Sequence, residues 1–149
     1  MEKIILSLNE ILQLESEING YLNPENGEII YQGFLKTNLP IILKYELTEL
    51  SETLFKERKK IDMLRDELIK KYGEEENGNI AIKMINEIKD EEGNITSKEI
   101  NPSYVEFSKE YSELLNQEKE IEYPEITKEN LKKAGETKDN YKILFKLIR

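Results

Sequence analysis

One apolar stripe constrains this chain more than any other feature. From Leu43 onward the apolar positions fall at Leu43, Leu47, Leu50, Leu54, Ile61, Leu64 and Leu68. Spacings of three, four and seven keep them on one side of a helix. Tyr45, Phe55, Ile69 and Tyr72 are expected to widen that side. The pairs Glu52/Lys56, Asp66/Lys70 and Glu67/Lys71 stand four residues apart along the solvent face, where opposite charges support a helix. Pro40 suits a first helical turn, in which its missing N–H is not needed. Gly73 suits a stop. The pattern predicts a helix over residues 40–72, roughly 50 Å long at 1.5 Å per residue. Such a stripe must be covered, either by other elements of the chain or by a second copy through a coiled-coil seam.

Covering elements are legible on both sides. Ser7-Leu8-Asn9-Glu10 has the form of a capping box, and Leu8, Ile11, Leu12 and Ile18 continue at helical spacing, predicting a helix over 8–19 that ends at Gly20. Asn101-Pro102 starts another, with Asn at the N-cap and Pro at the first helical position. Tyr104, Phe107, Tyr111, Leu114 and Leu115 give that helix an apolar side through residue 117. Thr127 is expected to cap a short helix ended by Gly135. Thr137 is expected to start a last helix that buries Tyr141, Leu144, Phe145 and Ile148. Tyr104 and Tyr111 read as core, whereas Tyr31, Tyr45 and Tyr123 are open to a contact role.

Between the long helix and Asn101 lies an acidic excursion over 73–100. Asn77-Gly78 and Glu92-Gly93-Asn94 are turn formers. Ile80, Ile82 and Met84 alternate with Ala81 and Lys83 as in a half-exposed strand. A hairpin of 79–89 with 94–99 is expected, although Met84–Ile88 also suits a helical turn. Glu118–Tyr123 alternates acids with Ile121 and Tyr123, a strand that Pro124 places at an edge. Residues 20–33 hold Asn23-Pro24 and Asn26-Gly27 and are compatible with a short hairpin or a plain loop. The expectation is a single α+β domain over 1–149. It has a long central helix with two or three packed helices and a small antiparallel sheet from 79–89, 94–99 and 118–123.

Composition narrows the chemistry. The chain has no Cys and no His, so thiol nucleophiles, thiolate metal sites and imidazole bases are excluded. No Gly-rich phosphate loop or nucleophile elbow is present. Asp90-Glu91-Glu92-Gly93-Asn94 is a poor calcium loop, because its glycine precedes the third ligand position instead of following it. No catalytic residue, cofactor or metal is expected. With 31 acids against 22 bases the formal charge is −9, which disfavours direct binding of nucleic acid or an anionic membrane and favours a protein partner with a basic surface. The N-terminal MEKIILSLNEIL lacks a signal-peptide core, and the composition reads as that of an intracellular protein.

The layout also resembles a known family. A capped helix precedes "LPIILKYELTEL" and "ERKKIDMLRDELIKKYGEEENGNI"; "VEFSKEYSELLNQEKEIEYPEI" follows, and the chain closes on "ITKENLKKAGETKDNYKILFKLIR". This order is similar to that of a family of small bacteriophage proteins with a long central helix, an acidic Gly/Asn hairpin and a Leu/Ile-rich C-terminal helix. The match covers most of the chain, with residues 20–33 as a loop insertion. The resemblance implies a phage or prophage source and transfers no catalytic residue. A non-enzymatic accessory protein is therefore expected, located in the host cytoplasm or in the virion. It would act either as an anti-CRISPR-like inhibitor of a host nuclease or in head or tail assembly. The candidate contact residues are Glu74, Glu75, Glu76, Asp90, Glu91, Glu92, Glu118, Glu120, Glu122 and Tyr123.

Overall fold

The computed structural model describes residues 1–134 and 141–148. They group into two compact units: Met1–Lys60 with Asn116–Arg149, and Ile61–Leu115. The architecture is α+β, with the expected long helix and several small antiparallel sheets.

The first unit begins with a strand that the sequence pattern did not single out, β1 (Glu2–Ser7), which runs directly into α1 (Leu8–Asn19). The capping box forms as predicted. The Glu10 N–H donates to Ser7 Oγ and the Ser7 N–H to Glu10 Oε1, each at 3.1 Å. Helix α1 buries Ile11, Leu14 and Ile18. The segment after it is a short hairpin of β2 (Tyr21–Leu22) and β3 (Ile29–Tyr31). Two glycines let its ends meet. A Cβ on Gly33, whose φ is +94°, would lie 2.5 Å from the Gly20 nitrogen, and one on Gly20 would lie 2.3 Å from the Tyr31 oxygen. A 3-10 turn, Phe34–Lys36, then seats Phe34 in the core.

Helix α2 (Ile41–Tyr72) matches the predicted span to one residue. Pro40 stands just before it and accepts from the Lys44 N–H through its carbonyl at 3.0 Å. Leu43, Leu47, Leu50 and Leu54 are buried. Tyr45 and Phe55 do not widen the stripe; they are 67% and 46% exposed. At 100° per residue, Phe55 lies about 100° past Leu54 and Tyr45 about 200° past Leu43, so neither shares their side of the helix. Strand β8 (Glu118–Tyr123) does not join the strands at 79–99 as expected. It pairs antiparallel with β1 in the register Ile4↔Ile121 and Ser7↔Glu118. After α4 (Lys128–Ala134), capped by Thr127 as predicted through its hydroxyl on the Asn130 N–H at 3.2 Å, residues 135–140 lie outside the described set. Gly135 and Thr137 are among them. The described end of the chain is a 3-10 turn, Leu144–Leu147, rather than an α-helix. It buries Leu144 and Leu147 while leaving Phe145 43% exposed.

Buried carboxylates tie this unit together. Glu17, 1% exposed, accepts from three backbone N–H groups, those of Lys142 (2.7 Å), Ile143 (3.2 Å) and Leu144 (3.1 Å). This satisfies donors at the start of the terminal 3-10 turn that have no helical partner. Glu15 receives Arg58 Nε at 2.6 Å, and Arg58 Nη2 also reaches the Leu12 carbonyl and Ser16 Oγ. Glu57 is held by Lys119 of β8 and by Lys60.

The second unit takes the last turns of α2, two hairpins and α3 (Pro102–Leu115). The hairpins are β4 (Glu74–Glu76) with β5 (Asn79–Ala81), and β6 (Ile85–Lys89) with β7 (Ile95–Ile100). The expected strand over 79–89 is thus broken at 82–84, and Met84–Ile88 is not helical. Asn101 caps α3 as predicted, accepting from the Ser103 N–H at 3.1 Å. Tyr104, Phe107 and Tyr111 line one side of α3, with Phe107 and Tyr111 stacked at 5.7 Å. They are half-buried, and α3 has no buried residue.

Candidate protein-binding surface

The acidic excursion begins where α2 must stop. The Gly73 N–H closes the last turn on the Ile69 carbonyl at 2.7 Å. A Cβ at this position would fall 2.4 Å from that oxygen, so the chain turns out of the helix at a residue without one. Glu74–Glu76 follow at once as β4. Asn77 (φ 53°) and Gly78 (φ 83°) form a two-residue loop with both φ values positive, the geometry that Asn-Gly favours in tight hairpins. The register Glu74↔Ala81, Glu75↔Ile80 and Glu76↔Asn79 sends Glu74 and Glu76 to one face and Glu75 to the other. Lys83 Nζ lies 3.7 Å from Glu76 Oε1. The triplet borders a cleft of about 130 Å³ whose other walls include Tyr72, Asn86 and Asn101. That is below the several hundred Å³ of typical ligand pockets. Asn101 is committed to structure, its side-chain amide donating to the Lys83 carbonyl at 2.8 Å.

Asp90, Glu91 and Glu92 cap the second hairpin. Asp90 Oδ1 accepts from the N–H groups of Glu92 and Asn94, both at 2.9 Å. Asp90 therefore folds the turn, while Glu91 and Glu92 stand in solvent. Among the described residues no group of three acids could hold a metal ion, and no helix is long and apolar enough to cross a membrane.

The third predicted group sits in the other unit. On β8, Ile121 and Tyr123 turn inward, and Tyr123 is buried in the core rather than offered to a partner. Its packing follows from the strand's alternation, which puts positions 119, 121 and 123 on one face. Glu118, Glu120 and Glu122 share the outer face with Lys3, Ile5 and Ser7 of β1. Lys3 Nζ lies 3.5 Å from Glu120 and 4.0 Å from Glu122, so this row is partly neutralised. Of the other open tyrosines, Tyr31 is buried and donates to the Glu17 carbonyl at 3.1 Å, whereas Tyr45 is exposed beside Ile41 and Ile42. The structure thus brings Glu74–Glu76 and Asp90–Glu92 into one unit and leaves Glu118–Glu122 in the other.

Charge is divided as unevenly as burial. Residues 61–115 carry fourteen acids and seven bases, a formal −7; the remaining residues carry seventeen and fifteen, a formal −2. Within the acidic unit, α2 and α3 are linked by Lys71 and Glu110 at 3.4 Å. A hydrogen bond from Tyr72, followed by that from Lys71, holds the Glu110 carboxyl below its usual value. Sequence reasoning missed the apolar half of this surface. Ile80, Met84, Ile85, Ile88, Ile95 and Ile100 are all exposed. The alternation of Ile80, Ile82 and Met84 predicts a strand with one covered face, and no signal in the sequence says that the cover is missing. No protein-family model, curated protein or solved structure matches this chain.

Proposed function

We propose that this is a non-enzymatic bacteriophage accessory protein that binds a basic surface on another protein, and that it acts as an inhibitor of a host defence nuclease or other nucleic-acid-binding factor. The observation that carries this is the concentration of formal charge, −7 of −9, in residues 61–115. Carboxylates on the tips and strands of two hairpins can occupy positions that phosphates would take on a basic groove. The absence of Cys and His from the sequence supports a role without bond-making chemistry. The resemblance of the segment order to that of small phage proteins is what supports the proposed source. The site of action is then the host cytoplasm.

The test is the affinity for a basic nuclease at low and high salt, with duplex DNA as competitor. Binding should weaken steeply with salt and be lost to DNA. Replacing Glu74, Glu75 and Glu76 together by Lys should abolish it. Salt-independent binding that DNA does not disturb would overturn the inhibitor role. A second reading, assembly of the phage head or tail, is favoured by the exposed isoleucines of β6 and β7, and it predicts the protein in purified particles by mass spectrometry.

A further inference from the structure

The hairpin of β6 and β7 is an unfinished sheet. Every residue of both strands is exposed, among them Ile85, Ile88, Ile95 and Ile100 at 41–69%. Among the described residues no helix packs extensively against it. A two-stranded hairpin alone is marginal in water, and stable examples have a third strand or a covering layer. Natural sheets protect such edges with prolines, inward charges, bulges or very short strands. Here β7 is six residues long, has no proline and has one lysine, Lys98. The only irregularity, between Ile88 and Lys89, lies near the tip, so Ser97–Ile100 face Ile85–Ile88 in regular register.

From this geometry we infer that the outer edge of β7 accepts an extended segment of the partner as a third strand. The inference rests on the protein-binding role proposed above and specifies its contact. Strand addition supplies main-chain hydrogen bonds, and alternate side chains supply selectivity. Ile100 stands opposite Ile85 on one face, and Glu99 stands opposite Asn86 on the other. The matching segment therefore places an apolar residue beside Ile100 and a basic residue beside Glu99. Residues 85–100 hold five acids and two bases, which selects a basic strand and disfavours a second copy of the same hairpin. The other sheets fit less well. Strands β2 to β5 have two or three residues each, and the inner face of β1 and β8 is sealed by Leu6 and Ile121.

The full chain is titrated with a short labelled peptide of alternating Lys and Val, and with the same peptide N-methylated at alternate residues. N-methylation keeps charge and side chains but removes one edge's backbone donors. The parent peptide should bind and slow amide exchange within 95–100, and the methylated one should bind at least about tenfold more weakly, a difference of about 1.4 kcal/mol. Glu99→Lys should weaken the parent peptide without changing the far-ultraviolet circular dichroism. Equal binding of both peptides would overturn strand addition while leaving the acidic-surface role intact. Binding of neither, even at low salt, would overturn both. Self-association of the chain through 95–100 would also overturn the basic-strand assignment.

Discussion

Residues 1–60 with 116–149 bury eighteen apolar side chains in one cluster, and residues 61–115 bury one, Ile61, among the described residues. The same chain thus contains a conventional packed core and a stretch of defined backbone with no interior of its own. Buried area is the main favourable term in folding, so the two units cannot be equally stable. In the first, side chains specify the structure. In the second it is specified by turns, caps and ladder hydrogen bonds, which leave apolar surface available for something else. Low local stability is where binding segments are usually found.

The largest test of this contrast compares two truncations. Phe34→Ala removes a fully buried ring and should lower stability by about 3–5 kcal/mol in urea unfolding. Ile100→Ala, at a site 69% exposed, should change it by no more than about 0.5 kcal/mol. Similar losses at both positions would mean that 61–115 has a core after all. Next in size is Glu17→Ala. It strands three backbone donors at the start of the terminal 3-10 turn and should cost on the order of 3 kcal/mol, since each unsatisfied buried group costs about 1–3 kcal/mol.

The helices were legible in the sequence because their signals are local. The capping box at Ser7, the stripe from Leu43 and the Asn101-Pro102 start each fix an element within a few residues. Strand partners were not legible. Lys3–Leu6 is one base followed by three apolar residues, without the alternation that marks a strand, yet it pairs with residues more than a hundred positions away. Without β1, β8 was assigned to the wrong sheet and Tyr123 to the wrong side of the protein. The acid groups are plain in the sequence, but their division between two units depends on contacts that composition does not encode. The exposure of Ile85, Ile88, Ile95 and Ile100 was invisible for the same reason, because an apolar residue on a strand does not say whether anything covers it.

A smaller comparison uses two glycines with similar torsions. Gly33 (φ +94°) and Gly93 (φ +85°) both sit where L residues are strained. At Gly33 a methyl group would meet backbone atoms at 2.5 Å; at Gly93 it would meet nothing within 4 Å. Gly93→Ala should lose about 1 kcal/mol from torsional strain alone, and Gly33→Ala clearly more, because the backbone of Asn19 and Gly20 cannot give way. Equal losses in thermal unfolding would show that the Gly20–Gly33 junction is loose.

The finest distinction is electrostatic. Burial raises the Glu57 carboxyl, but hydrogen bonds from Lys119 and Lys60 and their positive charges outweigh it, leaving the group below its ordinary 4.5. A carboxyl lowered in the folded state stabilises the fold at pH above the unfolded value, and that contribution is lost as pH falls through the folded one. Replacing Lys119 by Met removes the larger of the two hydrogen bonds. The variant should be less stable than the parent near neutral pH, and the gap should narrow as pH falls from about 4.5 through the lowered folded value, below which Glu57 is protonated in both. Urea midpoints across that range measure the gap directly. A gap that stays constant would assign the effect of Lys119 to the packing of its aliphatic stem rather than to its charge.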